Sequence, residues 1–185
     1  MKELSLNILD VTENSVKAEA TLVTIEIYEC ERSLKISIAD DGYGMSEEIL
    51  KGVENPFYTT RTTRKVGLGI PLLKMAAEMT DGTFKITSKS REQFPDSHGT
   101  VVTAVFNKNH LDFTPLGDTV STVTTLIQGH PETDFLFRHV FNNNEVLLDT
   151  RQMREMLGEI PLNSYEVIKW AEEYMQEQYE GLYKI

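Results

Sequence analysis

The sequence predicts an α/β chain of the α+β type: a two-layer sandwich with a mixed, mostly antiparallel sheet covered by helices on one face. Paired β-branched alternating runs occur twice, "TLVTIEIYE" with "SLKISIA" and "TFKITSK" with "GTVVTAVF". Segments of helical periodicity precede and separate these pairs. No strand-helix unit recurs at regular intervals, which argues against a doubly wound parallel sheet. The 185 residues, 40% hydrophobic and 25% charged, suffice for one sizeable core, or one core with an appendage.

Each element has a local reason. In "ELSLNILDVTENSVKA" the residues Leu4, Ile8 and Val11, with Leu9 and Val16 one turn over, predict a helix over 3–17. The first strand pair, joined by "CERS", reads as a hairpin over 21–39. Ser46 before "EEILKGV" supplies an N-cap and an acidic first turn. "NPFYTTRTTRKVGLG" reads as a loop. "LGIPLLKMAAEMTDG" resumes helical spacing, with Pro71 tolerated in the first turn and Gly82 placed to stop the helix.

From residue 109 the character changes. A helix in "DTVSTVTTLIQGHPETD", a hairpin turning at 142–144, a short helix in "TRQMREMLG" and a long amphipathic helix from "NSYEVIKW" onward are expected. In that last helix Ile168, Trp170, Tyr174, Met175 and Tyr179 fall mostly on one side, which predicts packing against the sheet or a partner. Residues 1–108 carry 16 acids and 13 bases, residues 109–185 carry 13 and 5. The division expected is thus a domain over 1–108 and an acidic extension over 109–185 with a different task.

Composition also excludes classes. A net charge of -11 argues against nucleic acid, whose binding draws on clustered Lys and Arg. No stretch reaches the roughly 18 apolar residues of a spanning helix, and the N-terminus places acids where a signal peptide needs apolar residues, so a cytoplasmic protein without a membrane role is expected. The single cysteine, Cys30, has no partner in the chain for a disulfide or a cysteine-based zinc set.

The turn "DDGYGM" leaves the second strand with two acids and two glycines. Asp40 there presents an acceptor suited to an exocyclic amine such as that of adenine. Gly42 and Gly44 let a loop pass close to a flat ligand, and Met45 can pack on its ring. By itself the same string is also a tight turn. Gly67, Leu68 and Gly69 stand at a helix start, where free N–H groups receive phosphates. Arg61, Arg64 and Lys65 gather positive charge before them, as a lid over a polyphosphate would. On the first helix Asp10, Asn14 and Lys17 share a face: a carboxylate to orient or deprotonate water, a hard oxygen for magnesium and an ammonium for phosphate.

In order and spacing, "ILDVTENSVKA", "DDGYGM", "NPFYTTR", "GLGIPLLK" and "HGTVVTAVF" resemble the N, G1, F, G2 and G3 boxes of the Bergerat-fold ATPases. That superfamily, also called GHKL, contains sensor histidine kinases, DNA gyrase, mismatch-repair ATPases and a heat-shock chaperone. The resemblance covers about residues 3–106. It implies ATP with magnesium as cofactors, Asp40 on the adenine amine, Asn14 on magnesium, Thr60 and Arg61 at the lid, Gly67 and Gly69 along the phosphates and Thr100 supporting adenine recognition. Asp41 then fills a variable position facing solvent.

Four residues before the magnesium asparagine, where gyrase-like members carry Glu, this chain has Asp10, a shorter candidate for general base. Glu13 points about 100° away from Asn14. None of the four histidines stands in the setting of a kinase phosphoacceptor. Two activities stay open: slow ATP hydrolysis or phosphoryl transfer to a protein partner, and an ATP-gated binding module that sequesters a partner as anti-sigma factors do. The extension, with "PLGD", "DFLFRH" and "VLLDTR", is similar to that of small ATP-binding proteins encoded beside multi-subunit iron-iron hydrogenases, which implies a redox-complex partner.

Overall fold

The structure, a computed structural model, describes residues 3–53 and 68–184. The elements follow the chain as α1 (Leu4–Lys17), β1 (Leu22–Glu29), β2 (Ser33–Asp40), α2 (Glu47–Val53), α3 (Gly69–Glu78), β3 (Thr83–Lys89), β4 (Gly99–Asn107), α4 (Thr119–Gly129), β5 (Asp134–Phe141), β6 (Asn144–Asp149), α5 (Thr150–Leu157) and α6 (Tyr165–Leu182). Six strands form one sheet in the order β3-β4-β2-β1-β5-β6, antiparallel except for the parallel pair β1–β5.

Alternation fixes the register. Ile86, Val102, Ile38, Ile25, Phe137 and Leu148 stand opposite one another across all six strands, so a single apolar row crosses the sheet. A one-residue slip of any central strand would carry its row to the other face. The alternate residues, Thr24, Ser37 and Arg138 among them, are only half-buried. Helices α3, α1, α4 and α6 lie side by side over the apolar rows. Val123, Leu126 and Ile127 of α4 and Met175 of α6 join the core that Ile8 and Val11 of α1 also fill.

The residues after 109 therefore extend the sheet and complete its helical layer. They also end α1: the carbonyls of Pro115 and Leu116 accept from the N–H groups of Leu4 and Ser5 at 2.9 and 2.8 Å, where Glu3 offers no side-chain cap.

Two local expectations are corrected. After α3 it is Asp81 that takes the left-handed conformation (φ 55°). Gly82 is required for a different reason, since a Cβ there would lie 1.9 Å from the Val105 carbonyl oxygen of β4. On α6 the buried stripe is Val167, Ala171, Met175 and Leu182. Trp170 and Tyr174 stack on each other at 4.9 Å with 44% and 39% exposure, outside the core. Their spacing puts them about a quarter of a turn from the middle of that stripe.

Candidate nucleotide site

Asp40 ends β2 opposite Thr100 of β4, and Gly99 precedes Thr100 with φ 129°. A Cβ on Gly99 would lie 2.0 Å from the Asp40 carbonyl oxygen, so only glycine lets β4 start this close to the turn. The Asp40 carboxylate is held by three neutral donors. Its Oδ1 accepts from the N–H groups of Gly42 and Thr100 at 3.0 and 3.1 Å, and its Oδ2 accepts from the Ser15 hydroxyl at 2.6 Å. A carboxylate offers about four acceptor positions, so one remains on Oδ2. An exocyclic amine needs such a position.

The turn is stitched to its surroundings. Tyr43 N–H donates to the Ala18 carbonyl at the end of α1, Met45 N–H donates to the Ser88 hydroxyl, and Ser88 in turn bonds the Thr100 hydroxyl at 2.8 Å. His98 Nδ1 lies 2.6 Å from the Gly42 carbonyl; a carbonyl only accepts, so Nδ1 is the donor. The two glycines of the turn have packing reasons. A Cβ on Gly44 would lie 1.9 Å from the Lys89 carbonyl oxygen, and one on Gly42 would lie 2.7 Å from that of Ala18. Close approach here is to the protein's own backbone.

Asp41 corrects the expectation of a solvent-facing acid. Half-buried, it accepts from the N–H groups of Thr21 and Leu22 at 2.7 and 3.0 Å and from the Thr21 hydroxyl, pinning the start of β1. Burial opposes its charge, but those hydrogen bonds prevail and hold the carboxyl below its ordinary range.

The second cluster lies where α1 meets α3. A Cβ on Gly69, the first residue of α3, would lie 3.0 Å from the Asp10 Cβ, so Asp10 stands against the N-terminal end of α3. Its side chain is exposed, and a negative charge is favoured at that helix end. Leu68 occupies the N-cap position and is 43% exposed. Asn14 lies one turn beyond Asp10 on the same stripe. Lys17 pairs with Glu13 at 3.2 Å, and Glu13 also lies 2.7 Å from His130 Nε2 at the end of α4. Burial opposes the Glu13 charge, while His130 and Lys17 together draw its carboxyl below the ordinary range. Glu13 is thus committed to the extension, away from Asp10.

Of the site residues expected from sequence, Asp40, Gly42, Gly44, Met45 and Thr100 come together at one end of the sheet, and Asp10 with Gly69 at the helix junction. Thr60, Arg61 and Gly67, with Arg64 and Lys65, lie outside the described residues. Ser15 and Ser88 were missed as supports; His98, which stands before Gly99 and reads from sequence either as an ordinary loop histidine or as one touching the pocket, bonds the turn. The one cue for Ser15 was a poor helix former in a helix interior beside Asn14.

The residues present fit a magnesium nucleotide. The acceptor position left on Asp40 would take a base amine, and the Asn14 amide carries one hard oxygen, which would suffice for a cation that retains waters and takes phosphate oxygens.

Comparison with known proteins agrees with the geometry. Residues 2–110 match the family model described as histidine kinase-, DNA gyrase B-, and HSP90-like ATPase. Sporulation kinase C of Bacillus subtilis is 33% identical over 92 residues, 49% of this chain and 21% of that protein. Sensor protein KdpD of Clostridium acetobutylicum is 27% identical over 94 residues, 48% of this chain and 10% of that one. Sensor histidine kinase ZraS of Klebsiella oxytoca is 28% identical over 89 residues, with shares of 48% and 19%. The chain therefore spans only a minor part of these relatives' length. Among solved structures, the Aquifex aeolicus MutL ATPase domain complexed with ADP superposes with a TM-score of 0.55 at 16% identity, covering 85% of this chain and 69% of that one. The N terminal domain of a DNA repair protein gives 0.54 at 16%, with 80% and 53% covered. At that identity the likeness is one of fold. With more than half its length matched by the family model, the chain belongs to the histidine kinase-, DNA gyrase B- and HSP90-like ATPases.

Proposed function

We propose that the protein binds Mg-ATP at the junction of α1, β2, β4 and α3, and slowly hydrolyses it or transfers its γ-phosphoryl group to a protein partner. The observation that carries this reading is the Asp40 carboxylate, fixed by Ser15, Gly42 and Thr100 with an acceptor position left over. Asp40 and Thr100 read the adenine edge, and Met45 packs beside the ring. Asn14 holds the metal, which when bound neutralises phosphate charge. Gly67 and Gly69 with the start of α3 receive phosphate oxygens, and Arg61 and Thr60 belong to the lid. Asp10, exposed at that helix end, orients the attacking water or hydroxyl and accepts its proton.

A second reading has its own support. His130, from the residues after 109, holds Glu13 beside Asn14, so the extension touches the helix that would carry the metal ligand. In this reading nucleotide occupancy alters how the acidic extension presents itself to a protein partner, with little turnover. The extension's resemblance to proteins encoded beside hydrogenases makes a redox complex the first partner to test.

Calorimetric ATP binding and phosphate release with magnesium separate these readings. The expected result is that Asp40→Asn abolishes binding, while Asp10→Asn retains binding and releases no phosphate. Saturable binding through Asp40 without phosphate release in the wild type favours the regulatory module. Absence of saturable binding, or full affinity in Asp40→Asn, overturns the site.

A further inference from the structure

At the end of the sheet remote from Asp40, a cavity of about 420 Å³ opens between the turn joining β1 to β2, the segment 113–118 and α6. Leu34, Phe113, Leu116 and the rings of Tyr179 and Tyr183 form its walls, and Glu29 lies among them. Its size falls within the usual range of small-molecule sites, roughly 300–1,000 Å³.

A polar network meets Glu29. His139 is fully buried; its Nε2 donates to Glu29 Oε2 at 3.1 Å, and its Nδ1 lies 3.0 Å from the Tyr179 hydroxyl. The Tyr179 hydroxyl also lies 2.7 Å from that of Thr119, so it joins His139 to the start of α4. Tyr183 donates to Oε2 at 3.0 Å and Lys108 Nζ to Oε1 at 2.6 Å. Oε2 thus has two donors and Oε1 one, which leaves an acceptor position on Oε1. The candidate nucleotide site uses none of these groups.

The charge of the occupant follows from what surrounds it. Glu29 and Asp118 line the cavity, and the Glu3 carboxylate accepts from the Asp118 N–H at 3.3 Å. Lys108 is already paired with Glu29. The start of α4 would attract an anion, but Asp118 caps it, taking the Ser121 N–H at 2.8 Å. Burial, then the Glu29 charge, push the phenol pKa of both tyrosines up, so both hydroxyls stay protonated and add no negative charge of their own. The aromatic faces favour a cation.

We propose that this cavity is a second ligand site, taking a small organic cation: an ammonium or guanidinium group on a short apolar body. The cationic head meets Glu29 and the tyrosine rings, and the apolar body lies against Phe113 and Leu116. The site is independent of nucleotide binding.

The test uses the full chain labelled with nitrogen-15, titrated with phenethylammonium, n-butylguanidinium and the neutral 2-phenylethanol. Saturable shifts are expected at the amides of Gly117, Thr119 and Val120 and not at Gly42 or Thr100, with a Kd on the order of 1 mM or tighter for the cations and at least about tenfold weaker binding of the alcohol. Leu116→Trp, which narrows the cavity without touching the carboxylate, and Glu29→Gln should each weaken cation binding by about tenfold or more. ATP affinity should stay unchanged in Leu116→Trp, so failure here and failure of the nucleotide reading are separate results. Tighter binding of a blocked arginine tripeptide than of the free cations identifies a protein side chain as the source; the reverse identifies a free amine. Equal affinity for ammonium and alcohol, no saturable shift in the wild type, or undiminished binding in Leu116→Trp overturns the proposal. The comparison of cation with alcohol needs only the wild type, so it stands even where Glu29→Gln does not fold.

Discussion

Asp40 and Glu29 occupy opposite ends of the same sheet, about 20 Å apart along the strands, and each is a carboxylate set near the helix-covered face. Their partners differ in kind. Asp40 is held by two backbone N–H groups and a hydroxyl, all neutral, so its charge remains available to a ligand. Glu29 is held by the Lys108 ammonium, which offsets part of its charge, and by hydrogen bonds from His139 and Tyr183. Burial opposes the Glu29 charge, but those donors outweigh it and bring its pKa down to about 2. Each carboxylate keeps one acceptor position, but a lysine stands only beside Glu29, and only the Asp40 end sits in a recognisable string of residues.

Strand β5 runs beside the whole of β1 and so joins both ends of the sheet to the 109–185 segment. Phe137 is fully buried in β5, opposite Ile25. Phe137→Ala should cost about 3–5 kcal/mol. Denaturant unfolding should keep a single cooperative transition at a lower midpoint; two transitions would mean that the 109–185 segment unfolds as its own unit.

Acid sharpens the contrast next. Because the folded pKa of Glu29 lies below its unfolded value, its stabilising contribution is fully present above about pH 4.5 and is lost as pH falls toward 2. Glu29→Gln should flatten the stability profile between those limits, measured by denaturant midpoints across pH. An unaltered slope would show that the Lys108 and His139 contacts do not form in solution.

The smallest expected change is at the other end. Ser15→Ala removes one of three hydrogen bonds to the Asp40 carboxylate, worth about 1.5 kcal/mol, so ATP affinity should fall roughly tenfold with the fold intact. Unchanged affinity would leave the two backbone donors as sufficient to hold the carboxylate.

Much was legible where the backbone itself makes demands. "DDGYGM" and "HGTVV" announce the Asp40 end because glycines are needed where strands and turns crowd together, as at Gly44 and Gly99. Alternating β-branched runs gave the strands, and their pairing followed for the two hairpins. Glu29 and His139 looked like ordinary strand residues, since nothing within a few positions of either marks a partner. The fate of Trp170 and Tyr174 was misread because α6 presents two apolar stripes, and sequence does not say which one the sheet covers.

By itself, then, the sequence determined what depends on neighbours along the chain: helix and strand periods, caps such as Asp118 and Asp149, and the glycine-bearing turns. Tertiary structure alone decided the parallel pairing of β5 with β1, the capping of α1 by Pro115 and Leu116, the bond from Ser15 to Asp40 and the network around Glu29. These contacts join residues 25 to more than 100 positions apart. Local propensity carries no information about such separations; they are selected by burying the apolar rows in register, which brings the polar partners within reach.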